Sequence, residues 1–207
     1  LSSGRRLERQ AATPPLTVII PAVNEEAYIA EKITNLLECD YPPDRLRILV
    51  VDNGSIDRTA EIARRFPVEV LSSERGKVNA INQGLRKAAT EIVAVTDADI
   101  LLARDALRQA VSLLRDPVGA VSGVPLLKTP RSGLDRSRQQ QTAKESSLRF
   151  RESLLHSACT LDGRLMVFRT EPGFQLPRET TADDYEMTFL TLRKGKRAVV
   201  DPRARVF

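Results

Sequence analysis

The chain has 207 residues, 42% of them hydrophobic, which is enough to bury one substantial core and short for a two-domain protein. Its 32 Lys and Arg against 27 Asp and Glu leave a net charge of +5, which favours anionic partners without selecting one. Aromatic residues are only 4% and Trp is absent, so the stacking platforms that bind single-stranded nucleic acid lack material, and no nucleic-acid partner is expected.

Two distant cysteines, Cys39 and Cys159, and one histidine, His156, indicate neither a zinc site nor a disulfide framework, and a reducing compartment is the expectation. No run of 18 apolar residues occurs and the N-terminus has no signal-like apolar stretch. The chain begins with Leu1 and stops at Phe207 straight after strand-like sequence, so it reads as a piece of something longer.

Residues 1–15 are polar and basic, end in Pro14-Pro15, and read as a tail or linker before one domain over residues 16–207. The short apolar runs 16–20 and 46–51, closed by Pro21 and by Asp52-Asn53-Gly54, fit strands that end in loops. Between them Asn24 is placed to cap a helix with Glu25 and Glu26 in its first turn and an apolar face of Ile29, Ile33, Leu36 and Leu37. The alternation continues with a helix over 56–66, a strand at 68–71, a helix over 78–88 and a strand at 92–96. Such alternation predicts a largely parallel sheet covered on both faces, with right-handed crossovers that bring successive strand exits to one edge, where ligands bind.

A helix over 104–114 and a strand at 118–123 follow. Residues 131–151 are rich in Arg, Gln and Ser and predict an exposed helix or mobile segment. A strand at 165–168, a helix over 184–194 stopped by Gly195, and a strand at 197–200 before Pro202 complete a second half of mixed character. The expected division is a regularly alternating first half over 16–100 and a mixed second half over 101–207.

Asp52 should stand at a strand exit beside a tight turn, where a carboxylate can accept hydrogen bonds from a ribose or base edge. A plain turn followed by a helix cap accounts for the same residues. Asp97-Ala98-Asp99 places two acids around one small residue at another strand exit, so that both can converge on a hard cation and the phosphate oxygens it holds; an acidic turn is the alternative. Arg75-Gly76-Lys77, followed by Asn79 and Asn82, starts a helix whose amides could hold an anion, or is simply a solvated helix start. Asp183-Asp184 opens a helix, as a cap or as a general base whose neighbour's charge tunes its pKa. His156 reads as a surface or structural residue.

Taken together, Val18-Ile-Ile-Pro-Ala-Val-Asn-Glu-Glu26, Val50-Val-Asp-Asn-Gly-Ser-Ile-Asp-Arg-Thr59, Gly76-Lys-Val-Asn-Ala-Ile-Asn-Gln-Gly84 and Thr96-Asp-Ala-Asp99 resemble the inverting family-2 glycosyltransferases. The resemblance implies an α/β GT-A fold, a Rossmann-like mostly parallel sheet flanked by helices with a mixed acceptor-side region added. It implies that Pro21, Ala22 and Glu25 match the loop that meets the nucleobase. Asp52 matches the acid on base or ribose, and Lys77 a residue lining the nucleotide site. Asp97 matches the first acid of the metal motif, near the ribose, and Asp99 the acid that binds Mg or Mn on the diphosphate. Gly163, Phe168 and Arg169 resemble a stretch beside sugar and acceptor. Asp184 matches the catalytic acid, with Asp183 replacing the usual preceding Glu.

The implied reaction is inverting transfer from a nucleotide diphosphate sugar, a UDP-sugar being favoured, to a hydroxyl of a carbohydrate or lipid-linked acceptor. Asp184 is the implied base, and the metal offsets charge on the departing diphosphate. The expected setting is cytoplasmic, at the inner face of the plasma membrane, and the basic segment 131–151 is expected either to make peripheral contact with anionic lipid or to become ordered over bound donor. Alternatives are a polyprenyl-phosphate sugar synthase, a nucleotide-binding regulatory domain without turnover, and a nucleotidyltransferase. Processive polysaccharide synthases of the family usually carry a later Gln-x-x-Arg-Trp element and transmembrane helices. That element is missing here, so either single sugars are transferred or it lies beyond the residues in hand.

Overall fold

A computed structural model of the chain describes residues 7–126, 133–171 and 173–207, with residues 133–136 and 138 described by backbone alone. The sheet begins with β1 (Leu16–Ala22), every residue of which is buried, because helices cover both of its faces. Strands β2 (Leu46–Asp52) and β4 (Ile92–Thr96) pair with it in parallel on either side, and β3 (Glu69–Ser72) extends the sheet beyond β2. Beyond β4 lies β6 (Leu165–Arg169), antiparallel to it, followed by β5 (Val118–Pro125) and β7 (Arg197–Val206), in the order β3-β2-β1-β4-β6-β5-β7. One reversed strand in an otherwise parallel sheet makes the second half mixed, as its sequence predicts.

Alternate residues feed two cores. Val18, Ile20, Val50 and Ala94 face α1 (Ile29–Leu37), α2 (Thr59–Ala63) and α4 (Ala106–Ser112). Ile19, Val51, Val93, Val95, Met166 and Phe168 face α3 (Lys77–Lys87) and α6 (Asp183–Arg193). Gly84 lies so close under β1 that a Cβ there would come within 2.6 Å of the Ile19 side chain, so α3 can pack tightly only without one.

Several expectations need correcting. Asn24 does not cap α1: it takes a left-handed conformation (φ 56°), its side chain accepts from the Ile56 amide, and the helix starts only at Ile29 after Tyr28. Glu25 and Glu26 therefore lie in the turn before the helix, and Leu37 is exposed rather than on its apolar face. The helix foreseen over 56–66 shrinks to α2. Pro202 does not end the last strand, because β7 is an edge strand where a missing N–H leaves no ladder bond unmade. The basic segment is helix α5 (Gly133–Leu155), while its first residues, 131 and 132, lie outside the described residues.

Residues 7–15, read as a tail, lie on the sheet's flank. Arg9 pairs with the fully buried carboxylate of Asp201 at 2.6 Å and bonds Ser112 and Gln109, and Tyr41 donates its hydroxyl to the Pro14 carbonyl at 2.5 Å. Cys39 and Cys159 are both free, the first buried and the second exposed. Among the described residues, no helix is long and apolar enough to cross a membrane.

Candidate active site

The register of the sheet puts the chemistry-bearing exits side by side. Ala22 pairs with Asp52, and Ile19 with Val95, so β1, β2 and β4 finish at nearly the same level. Pro21 and Ala22 are buried at that edge, and the Ala22 carbonyl accepts the Asn53 amide at 2.9 Å. Asp52 is half-buried, and among the described residues its carboxylate accepts only a long 3.4 Å contact from the Ser55 amide. It caps no helix, since α2 starts at Thr59, and its second oxygen remains for another partner.

Asn53 adds a contact that the sequence did not announce: its side-chain oxygen accepts the Gly76 amide at 2.6 Å. That bond brings the start of α3 against the β2 exit. Gly76 holds φ 123°, which suits glycine, and Lys77 then projects across the strand ends. The side chains of Asn79 and Asn82 bond the Arg75 and Leu176 carbonyls, so they serve the backbone rather than an anion.

The Lys77 ammonium joins the two halves. It lies 2.8 Å from Asp97 Oδ1 at the β4 exit and 3.3 Å from Asp183 Oδ2 at the start of α6. Burial pulls its pKa down, but the two carboxylates outweigh burial and hold it above the usual lysine value. Lys77 thus stays charged.

Glu25 faces the same edge. Burial, then the charges of Asp99, Asp97 and Asp57, raise its pKa above the ordinary carboxylate value, the mark of a crowd of acids short of positive charge. Among the described residues, no three His, Cys, Asp or Glu side chains could cage a metal by themselves. Two hard carboxylates, with Asp99 exposed, do fit an Mg or Mn ion that draws its remaining ligands from phosphate oxygens.

Asp183 and Asp184 share a cavity of about 440 Å³ with Lys77, Asp97, Gly163 and Arg149. Ala182 is the N-cap of α6 and Asp183 turns its carboxylate to Lys77, so neither acid takes the cap position. Asp184 Oδ1 accepts the adjacent Tyr185 amide at 2.9 Å. Gly163 backs it closely: a Cβ on residue 163 would lie 3.3 Å from Asp184 Cβ and 3.7 Å from Oδ2.

The glycosyltransferase family can now be assigned. Residues 17–172 match the family model for glycosyl transferase family 2. The chain belongs to this family, and its fold is the GT-A fold.

It is 37% identical over 124 residues to a beta-monoglucosyldiacylglycerol synthase of Trichormus variabilis, covering 55% of this chain and 26% of that protein. It is 29% identical over 166 residues to a poly-beta-1,6-N-acetyl-D-glucosamine synthase of Staphylococcus aureus, covering 74% and 39%. Among solved structures, the mannosyltransferase PcManGT of Pyrobaculum calidifontis, in complex with GDP-Man and Mn2+, superposes with a TM-score of 0.84. Its identity is 32%, over 99% of this chain and 59% of that one. The chain spans between about a quarter and three fifths of these relatives.

Within this family-2 domain, two of the residues taken from the resemblance lie elsewhere. Because β6 is antiparallel, Leu165 is level with Thr96 at the site, while Arg169 pairs with Ile92 at the opposite edge, about 13 Å along the strand. Arg169 there bonds Glu91 and the Leu114 carbonyl, and Phe168 is buried against Phe174. Neither reaches the cavity.

Sequence reasoning also misses Asp162, Arg164, Arg149 and Lys32. Asp162 pairs with Arg164 at 2.9 Å and Arg149 at 3.8 Å, tying α5 to the loop before β6. Lys32 is wholly buried behind the acid triplet. Its signal is legible, since a lysine among Ile29, Ile33 and Leu36 stands on the apolar stripe of α1.

Proposed function

We propose that this domain catalyses inverting transfer of a sugar from a nucleotide diphosphate sugar to an acceptor hydroxyl, with Asp184 as general base. The observation that carries the reading is the Lys77 bridge. It brings Asp97, at the exit of β4, and the α6 acid pair to one cavity although nearly ninety positions separate them in sequence. Asp52 would hold the nucleoside, with Pro21, Ala22 and Glu25 framing the base. Asp97 would lie by the ribose, Asp99 would bind Mg or Mn on the diphosphate, and Lys77 would line the nucleotide site. The PcManGT complex, with its GDP-Man and Mn2+, supports a donor and metal of these kinds.

The bound metal would offset the charge that grows on the departing diphosphate. In the chemical step the acceptor oxygen would bond the anomeric carbon as the carbon–diphosphate bond breaks on the opposite side, while the hydroxyl proton passes to an Asp184 oxygen. One displacement inverts the configuration. Gly163 leaves Asp184 room, and Asp183 keeps Lys77 close to Asp97.

Asp184→Asn tests the reading. Donor and metal binding should stay near normal while single-turnover transfer falls by about 100 to 10,000 fold, the usual cost of losing a general base. GDP-mannose, UDP-glucose and UDP-N-acetylglucosamine are the donors to screen first. Transfer within a few fold of normal would remove Asp184 from this role and favour a phosphate acceptor, which needs little deprotonation.

A further inference from the structure

Lys32 has no part in the reaction proposed above, yet it is the largest wholly buried side chain among the described residues. A methionine would fill similar space without the desolvation penalty that a buried ammonium carries. The contacts of the ammonium show what it does instead. Its Nζ donates to Thr96 Oγ1 at 2.8 Å and to the Ile100 carbonyl, gripping the chain immediately before and after Asp97-Ala98-Asp99. One helical turn on, Asn35 seizes the same segment in both directions, donating to the Leu102 carbonyl at 2.9 Å and accepting the Leu102 amide at 2.8 Å. Helix α1 therefore holds the segment 96–102 from behind at three points.

The grip extends to the other half of the site. Because Thr96 Oγ1 accepts from Lys32, its own proton is directed to the Arg164 carbonyl, which it reaches at 2.7 Å. Arg164 follows Gly163, the residue against which Asp184 rests. A buried chain thus runs from the Lys32 ammonium through the Thr96 hydroxyl to the loop behind the proposed base.

We propose that Lys32 is a positioning residue that fixes the Asp97-Ala98-Asp99 segment for cation binding and, through Thr96, sets the 162–164 loop against Asp184. The proposal rests on the functional reading above for the use of the segment, whereas the grip itself can be tested without any donor or metal. Lysine suits the task because one side chain from α1 can donate to both sides of the triplet at once.

Hydrogen exchange of metal-free Lys32→Met should show amides 99–102 opening about tenfold more often, as loss of one or two buried hydrogen bonds implies, with β1 and β2 still protected. Calorimetry with UDP or GDP should show Mn2+-dependent affinity about tenfold weaker and metal-free nucleotide affinity within twofold. Thr96→Val, near-isosteric, should loosen residues 162–164 and spare 99–102, which keeps the proposal testable if Lys32→Met does not fold. A folded Lys32→Met with exchange and Mn2+ affinity both within twofold of the unaltered protein overturns the proposal, as does unchanged exchange at both segments in Thr96→Val. If the unaltered protein binds no nucleotide with Mn2+, the functional reading fails instead, and the exchange results still decide the role of Lys32.

Discussion

The two halves of the domain carry their functional groups in different ways. In β1 to β4, parallel strands in matched register deliver Asp52 and Asp97 to one edge, so each acid follows its own strand in sequence. In the second half, Asp184 stands on a helix and Gly163 on a loop, and they meet only because α6 packs beside the turn into β6. The first half positions by topology, and the second by contact between segments. Substitutions in the first half should therefore damage binding, while those in the second should damage transfer at nearly constant binding.

Asp99→Asn gives the largest effect expected on the binding side. The amide keeps the shape but loses the charge that a divalent cation needs. Mn2+-dependent nucleotide affinity should fall by about 100 fold, or about 2.7 kcal/mol, with the melting temperature unchanged. Equal calorimetric affinity with and without Mn2+ in the unaltered protein would deny the acid its metal role.

Gly163→Ala probes the second half by contact alone. The new methyl would sit 3.3 Å from Asp184 Cβ, so the carboxylate must shift by a few tenths of an ångström. Transfer should drop about tenfold, since small misplacements of a reacting group are costly, while donor affinity holds. Transfer and affinity falling together would erase the contrast between the halves.

Asp52→Ala should weaken nucleotide binding by about tenfold, the lower end of the scale of one hydrogen bond to a charged group, with circular dichroism unchanged. Normal binding would return Asp52 to its plain role in the turn.

The same contrast decides what is legible in the sequence. β4 is legible to the residue, because four apolar residues and Thr96, closed by acids, fit a buried strand that ends at a polar edge. Asp97 and Asp99 can be read as acids at a strand exit for a related reason: they directly follow the strand that delivers them, whereas the partners of Lys77, which are Asp97 and Asp183, are distant in sequence. The start of α1 is misplaced because the Asn24 side chain is engaged with Ile56, thirty-two positions away, and no local pattern reports that. Arg169 falls to the acceptor side by resemblance because its place depends on β6 running backwards, which is a property of pairing rather than of the segment. Lys32 passes for a polar residue on an amphipathic helix, although its position on the apolar stripe marks it.

The smallest expected effect comes from that lysine and concerns stability. Burial is the main cause that lowers the Lys32 pKa, to about 7 from 10.5, against the opposing pull of Cys39, Asp97 and Asp99. In the unfolded chain the group keeps its proton up to about pH 10, so between pH 7 and that value the unfolded state binds more protons than the folded one. Stability must then rise with pH through this window, as the folded state sheds a charge it is penalised for holding. From pH 7 to 8 the gain should be about 1 kcal/mol. Lys32→Met lacks the titrating group and should lack this increment. Urea denaturation of both proteins in chelator, at pH 7.0 and 8.0, isolates it, because every other titrating group is common to the two. Parallel stability curves would mean that Lys32 remains charged in the fold across this range, and that the acids it faces, rather than its burial, govern its protonation.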